Sequence, residues 1–520
     1  MEGRQNLSSG VSRSGFRLLR SFFPSGANEA SFIPFLLSPS SLLIIESRMF
    51  LSKAFCSVAI FSFVFALILS KLPAQESKDF TGGMPAMDPP GSEITFRTIV
   101  LRPKAAVAST ASKLFPTQER IQRGNAVPII LQQNFEATER LEALRQFGKT
   151  DYLKIPLDAL DAAEVTRLTP IGFGELRRAA FRERAGWEHP IGEGTQPLAM
   201  VLLPDVQETR RYAKAIAARA RVDLQAGKLN DAVDKICIGL GLSKHVGESP
   251  FQVCKLVQSA NAGSILGVIE ELIQHPASEN QYWHIAGLPS PFISTKPALQ
   301  LEAVMWQRSV LRLADLDSIL SETQWDSLVQ EVMLYSDVIG TGNFVKGVVF
   351  NEWARLSRER LPGIWKDNNR PVQSMCDSEV WVRYWFMRMQ KLTDECMSWA
   401  LLDFHQAIPN LIALKDRREQ ELTDELPVKI AFEPPLNFIV YAASLQQHID
   451  LIRTIESIRD WSAKNGGKLP KTLQQLDLPA PVDCIVNKPF VYGLSLDKRS
   501  ATLQGAVVEN RGFKYELELE

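Results

Sequence analysis

Residues 219–248 read RARVDLQAGKLNDAVDKICIGLGLSKHVGE, and this stretch decides the fold. Just before and within it, Ile216, Ala220 and Leu224 recur every fourth residue with Ala213 and Ala217 beside them, so one apolar face follows the helical period. Ala226-Gly227-Lys228 breaks the pattern, as glycine does where a helix stops. Leu229, Ala232, Val233, Ile236 and Leu240 then lay down a second apolar stripe, which ends near Gly247. A third follows Pro250, carried by Ile265, Val268, Ile269, Leu272 and Ile273, and Gly263 and Gly267 one turn apart leave room for a neighbouring helix. Helices joined by so short a turn run antiparallel. Neither buries its stripe alone, so the pattern predicts a mainly α fold of stacked antiparallel hairpins.

Working outward, helices are expected from about 131, where Phe135, Leu141 and Leu144 precede a stop at Gly148, at 302–320 and at 324–338, where Trp325, Leu328, Val329 and Val332 share a face. A further helix over 377–405 carries Trp381, Trp385, Leu392, Cys396 and Trp399 at helical spacing. Such a stripe could form a cofactor or sugar platform, but core packing is its commoner use. Residues 282–292, YWHIAGLPSPF, contain two prolines and predict an ordered loop pinned by an aromatic side chain. Near 436 a long helix begins, marked by Leu445, Ile449, Ile452, Ile455 and Ile458 and stopped by Asn465-Gly466-Gly467. Beyond it PFVYGL, SATLQG and FKYELEL predict two or three short strands.

The N-terminal third reads differently. Lys53 precedes the apolar run AFCSVAIFSFVFALIL, residues 54–69, and Ser70-Lys71-Leu72-Pro73-Ala74 follows in the order of a secretory signal, with cleavage expected after Ala74. An uncleaved anchor over 54–70 is the alternative, although the run is shorter than the roughly 20 residues that cross a bilayer comfortably. Residues 1–48 show no sustained period and predict a disordered leader or a stretch lying before the true start at Met49. Residues 75–130 read as a linker with a possible short strand at Ile94 to Leu101, 131–430 as a helical domain, and 431–520 as a C-terminal helix with a short-strand module. The expected location is therefore the periplasm or cell envelope, with membrane contact only through the hydrophobic segment.

The 58 Lys+Arg and 59 Asp+Glu leave a net charge of -1, so no global field draws the chain to nucleic acid. Six cysteines, at 56, 237, 254, 376, 396 and 484, contain no C-x-x-C pair. Losing Cys56 with the signal leaves five, an odd number that argues against a complete disulfide framework; Cys376 with Cys396 is the first pair to test. The six histidines, at 189, 245, 275, 284, 405 and 448, are never three to five apart, so simple helical metal pairs are missing and each reads as a capping or surface group. Nucleotide, zinc-protease and α/β-hydrolase signatures are absent. The glycine stretch at 339–348 lacks the third glycine of a kinase phosphate loop and reads as a connection between helices. Asp315 and Asp317 lie on different helix faces, and they, Asp394-Glu395 and the charged run at 415–425 read as solvated charge. No metal or cofactor is expected.

Residues 219–248 resemble a tetratricopeptide unit, although the Trp, Tyr and Pro landmarks of that repeat are not all present. The tail, with Leu469-Pro470, Pro481-Val482-Asp483 and Lys488-Pro489-Phe490, resembles the soluble module of type II secretion pseudopilins. Cys484 and Asn487 stand where that pattern has Pro and Gly, and Asn tolerates the left-handed backbone that Gly supplies. Together with GWEHPIGEG, VLLPDVQETR, AGKLNDAVDK, KHVGESP, VIEELIQHP and YWHIAGLPSPFI, these pieces resemble a set of exported planctomycete proteins. That resemblance implies location and a tetratricopeptide-like α-solenoid with a small C-terminal α+β module, and it implies no reaction. The expected function is non-catalytic binding of another envelope protein or polymer, or a structural role in the envelope. The alternative is an envelope hydrolase, whose least implausible groups are Glu270, Glu271, His275, Trp283 and His284.

Overall fold

Strand β1 (Thr95–Leu101) opens the described chain in the computed structural model, which describes residues 94–109, 111–135, 138–189, 204–309, 320–336, 348–365, 371–421 and 435–520. Strand β2 (Gln122–Asn125) leads to helices α1 (Val127–Phe135), α2 (Thr138–Phe147), α3 (Ala162–Leu168) and α4 (Phe173–Ala180), and β3 (Arg182–Arg184) pairs back on β2. Then come α5 (Pro204–Gln225), α6 (Leu229–Val246), α7 (Gln252–Gln274) and the short α8 (Tyr282–Ala286). Helices α9 (Lys296–Ser309), α10 (Glu322–Ser336), α11 (Val348–Arg360), α12 (Asp377–Ala400) and α13 (Phe404–Glu421) follow, and α14 (Leu436–Lys464) is the longest described. Strands β4 (Val482–Asp483), β5 (Lys488–Pro489), β6 (Val491–Leu494), β7 (Ser500–Gln504) and β8 (Phe513–Leu519) end the chain.

The molecule is mainly helical with a small C-terminal strand module. Helices α5, α6 and α7 pack pairwise, and their expected stripes are buried: Ala213, Ile216, Ala217, Ala220 and Leu224, then Ala232, Ile236 and Leu240, then Ile265 through Ile273 at the spacing read from sequence. The reversal after α5 needs Gly227, whose φ is +70°. There Lys228 N–H donates to Asp223 O at 2.8 Å, the bond that closes a glycine-ended helix. At Gly239 a Cβ would stand 2.4 Å from Ile265 Cδ1, so the missing side chain lets α6 lie close on α7.

A second core holds the tryptophans of the C-terminal helices. Trp325, Trp353, Trp381 and Trp385 are buried together with Leu392 and Cys396. The Trp381 ring stacks on Trp353 at 6.5 Å and on Trp385 at 6.4 Å. The aromatic stripe of 377–405 is thus core up to Cys396, while Trp399 reaches the surface.

Helix α14 joins the two cores. Leu436, Phe438, Ile439, Val440 and Ala443 pack among the tryptophans, whereas Leu445, Ile449, Ile452, Ile455 and Ile458 pack against the hairpin core. Over its second half lies a sheet of order β1-β8-β7-β6. Alternation fixes its inner face: Ile99, Leu101, Ala501, Leu503, Phe513, Tyr515 and Leu517 are buried, and the residues between them face outward. Asp483 ties the tail to α14, with Oδ1 accepting from Ile485 N–H at 2.9 Å and Oδ2 from Gln447 Nε2 at 2.9 Å and from Ala506 N–H at 2.6 Å. Asn487 has φ +52°, the left-handed conformation expected of it.

Several expectations need correction. The short strand expected at Ile94 to Leu101 is present as β1, but its partner lies far off in sequence: β1 runs parallel to β8, with Thr95 opposite Phe513 and Leu101 opposite Leu519, so the C-terminal sheet is completed by the other end of the described chain. Residues 282–286 form a short helix, and only the Pro-containing remainder is loop. Cys376 and Cys396 bracket most of α12 and are free; twenty residues of helix hold them roughly 30 Å apart, far beyond the reach of a disulfide. His245, His284 and His448 are buried rather than at the surface, each with a ring nitrogen hydrogen-bonded inside the protein, to Glu248, Lys113 N–H and Glu270 respectively, as a buried polar group requires. The hydrophobic segment at 54–69, Asp315, Asp317 and most of the glycine stretch at 339–348 lie outside the described residues. Among the described residues no helix is long and apolar enough to cross a membrane.

Candidate functional site

Helix α7 presents Glu270 to the sheet within an otherwise apolar stripe, and the carboxylate, 4% exposed, gathers side chains from three other elements. Its Oε1 accepts from His448 Nε2 on α14 at 2.7 Å and from the Tyr515 hydroxyl on β8. Its Oε2 takes the guanidinium of Arg97 on β1. A carboxylate paired with arginine can only accept, so His448 carries its proton on Nε2. Burial first, and the positive Arg97 second, hold the His448 pKa well below the usual imidazole range, which keeps the ring neutral. The ring stacks on Phe513 at 4.5 Å. Burial pushes the Tyr515 phenol up, so it stays a donor.

The five groups singled out in the sequence do not converge. Glu271 is one residue on from Glu270, about 100° round the helix, and pairs instead with Arg221 at 2.8 Å. That guanidinium also reaches the Tyr152 and Ile155 carbonyls. His275 caps α7, its Nδ1 accepting from Ala277 N–H at 3.2 Å. Trp283 is 37% exposed and sets its ring edge-on to Tyr282. His284 is buried and its Nδ1 accepts from Lys113 N–H at 3.3 Å. Only Glu270 belongs to a shared cluster, and its partners Arg97, His448 and Tyr515 were missed. The sequence did hold a signal for them: a charge at 270 and an imidazole at 448 interrupt apolar stripes, and a buried polar group requires a partner.

A second cluster braces the same joint. Glu456 Oε2 accepts from Gln281 N–H at 2.6 Å, and Oε1 pairs with Arg459, which also donates to the Arg102 carbonyl at 3.0 Å. Asn280 bridges the Lys104 and Glu456 carbonyls. These bonds tie the segment after β1, the start of α8 and α14 into one polar seam. Among the described residues no group of three or more His, Cys, Asp or Glu side chains could hold a metal ion.

Off the seam, the surroundings of Glu248 and Asp450 shift their carboxyls in opposite directions. Burial pushes Glu248 up, but hydrogen bonds from His245, Lys244 and the Ala185 N–H outweigh it and bring the pKa down to about 2. Its stabilisation is present above the ordinary glutamate pKa and is lost as pH falls towards 2. Asp450 behaves oppositely: burial, aided by Asp483, raises it to about 6 against the Gln446 hydrogen bond and Arg453. A raised folded pKa means that its contribution is present below the ordinary aspartate pKa and is lost as pH rises through about 6. Asp450→Asn is therefore expected to stabilise the chain at pH 8 by roughly 2–3 kcal/mol, since each tenfold change in proton affinity is worth about 1.4 kcal/mol, and to change little at pH 4. Urea unfolding at the two pH values checks this, and an equal gain at both would contradict it.

Compared with known proteins, the chain matches no family model, no curated protein and no solved structure.

Proposed function

We propose that the chain is an exported envelope protein that acts by binding, as a rigid scaffold of stacked, tetratricopeptide-like hairpins holding another envelope protein or polymer. It belongs on this reading with the exported planctomycete proteins whose sequence pieces it shares. The export signal read at Lys53 to Ala74 supports the location, and the pairwise packing of α5, α6 and α7 supports the hairpin architecture. One observation carries the mode of action. Glu270, the buried carboxylate that meets an arginine, a histidine and a tyrosine together, has both oxygens engaged by Arg97, His448 and Tyr515, so this grouping serves as an internal tie.

Affinity purification from the native envelope, with partners identified by mass spectrometry, tests this. A partner or polymer retained at stoichiometric yield is expected. Recovery of the chain alone would remove the support for a scaffold. Glu270→Gln separates the hydrolase alternative: a tie predicts a lower melting temperature, whereas a catalytic carboxylate predicts a fold of unchanged stability.

A further inference from the structure

Arg145, Arg178, Arg211 and Arg355, exposed on four helices, each face a glutamate three residues away. The ribbon formed by β2 and β3 breaks that habit. Residues 118–125 and 177–186 carry Arg120, Arg123, Arg177, Arg178, Arg182 and Arg184 and no lysine, in a chain whose net charge is -1. Arg177 and Arg178 pair with Asp234 and Glu175. Among the described residues Arg120, Arg123, Arg182 and Arg184 have no carboxylate partner. Glu119 forms no ion pair there either, and Glu183, between Arg182 and Arg184 in β3, points to the other side of the ribbon.

The backbone holds these side chains close together. Gln122 N–H donates to the Phe181 carbonyl at 2.8 Å and Ala126 N–H to the Arg184 carbonyl at 2.9 Å, so the two strands form one surface. A Cβ at Gly124 would stand 3.4 Å from the Arg182 guanidinium. With none there, Arg182 lies across β2 and donates to the Arg123 carbonyl at 2.7 Å. Arg184, two residues on in the strand, shares its face. Beside them the guanidiniums of Arg120 and Arg177 lie 4.4 and 5.4 Å from the centre of one Phe181 ring, which keeps two like charges near each other. Arg120, Arg123, Arg177 and Arg184 are exposed and Arg182 is half-buried, so their forks are open to solvent.

We propose that this arginine ribbon is a docking surface for an acidic segment of a partner protein, whose Asp and Glu carboxylates are taken by the unpaired guanidiniums. The partner so defined is that of the scaffold reading, on which the assignment rests. Charge complementarity selects an anion, and the lack of lysine selects one with planar, two-oxygen groups. A guanidinium presents a fixed fork that a carboxylate meets with two parallel hydrogen bonds, whereas an ammonium is a point charge.

Fluorescence anisotropy of a labelled poly-L-glutamate peptide titrated with the full chain tests the surface. Saturable binding that weakens as salt rises is expected. Arg123→Glu combined with Arg184→Glu should weaken it about tenfold or more, because reversed charges repel the probe. Lys471→Glu combined with Arg499→Glu, the same change of total charge on exposed residues of the C-terminal module, should leave it unchanged. Arg184→Gln alone should weaken binding about threefold; at an exposed site it keeps the melting temperature, so it carries the test if the double variant does not fold. No saturable binding, equal binding by the Arg123 and Arg184 variants, or tighter binding of polyphosphate than of poly-L-glutamate at equal probe charge overturns the assignment. A partner retained from the envelope would in that case still uphold the scaffold, so the two readings fail separately.

Discussion

Glu270→Ala is expected to lower the unfolding free energy by about 3–5 kcal/mol, the usual cost of removing one member of a buried ion pair. The loss is large because three donors lose their acceptor together. Arg97 retains a charge that is 17% exposed as a side chain, so water can recover part of its share. His448 and Tyr515, at 1% and 0% exposed, have no such recourse, and each buried donor left unmade costs about 1–3 kcal/mol. Glu270→Gln keeps the volume and one acceptor oxygen but loses the charge for Arg97, and should fall between the wild type and Glu270→Ala. Urea unfolding at pH 7, followed by tryptophan fluorescence and by far-UV circular dichroism, measures both variants. A loss below about 1 kcal/mol for Glu270→Ala would place the group among ordinary surface pairs and refute the tie.

The contrast between what was legible and what was not follows sequence distance. The stripes of α5, α6 and α7 are set by residues three and four apart, and Ile216, Ala220 and Leu224 could be placed on one face without knowing what covered it. The same holds for Leu445, Ile449, Ile452, Ile455 and Ile458 on α14. The pairing of β1 with β8 obeys no local rule: Arg102 and Glu520, which meet at the end of it, are 418 residues apart. The strand itself could be read from residues 94–101, yet its partner could not, because Ile99 and Leu101 would suit any apolar sheet face. Glu270 was reached as a candidate, but only by closeness in sequence to His275 and His284, and its real neighbours come from residues 97, 448 and 515.

The same long-range pairing sets the largest expected effect. Ile99 and Leu101, 2% and 1% exposed, sit under the sheet against the hairpin core, and burying such a side chain contributes roughly 1.5–3 kcal/mol. Ile99→Asp replaces that gain with an unpaired buried charge and should destabilise by about 4–5 kcal/mol or more. Because β1 forms one edge of the sheet, its loss also uncovers β8, and an unpaired strand edge invites association with other chains. The damage should not stay in the sheet. Helix α14 packs its first half among the tryptophans and its second half under the sheet, so loosening one end removes the cover from both cores. Hydrogen exchange on the full chain is expected to show protection falling together at 500–519, 436–460 and 216–273, while Phe96→Ala, at a side chain 67% exposed, changes stability by less than about 0.5 kcal/mol. If Ile99→Asp freed 500–519 alone and left 216–273 protected, the strand module would be an independent appendage, and the coupling of both cores through α14 would be wrong.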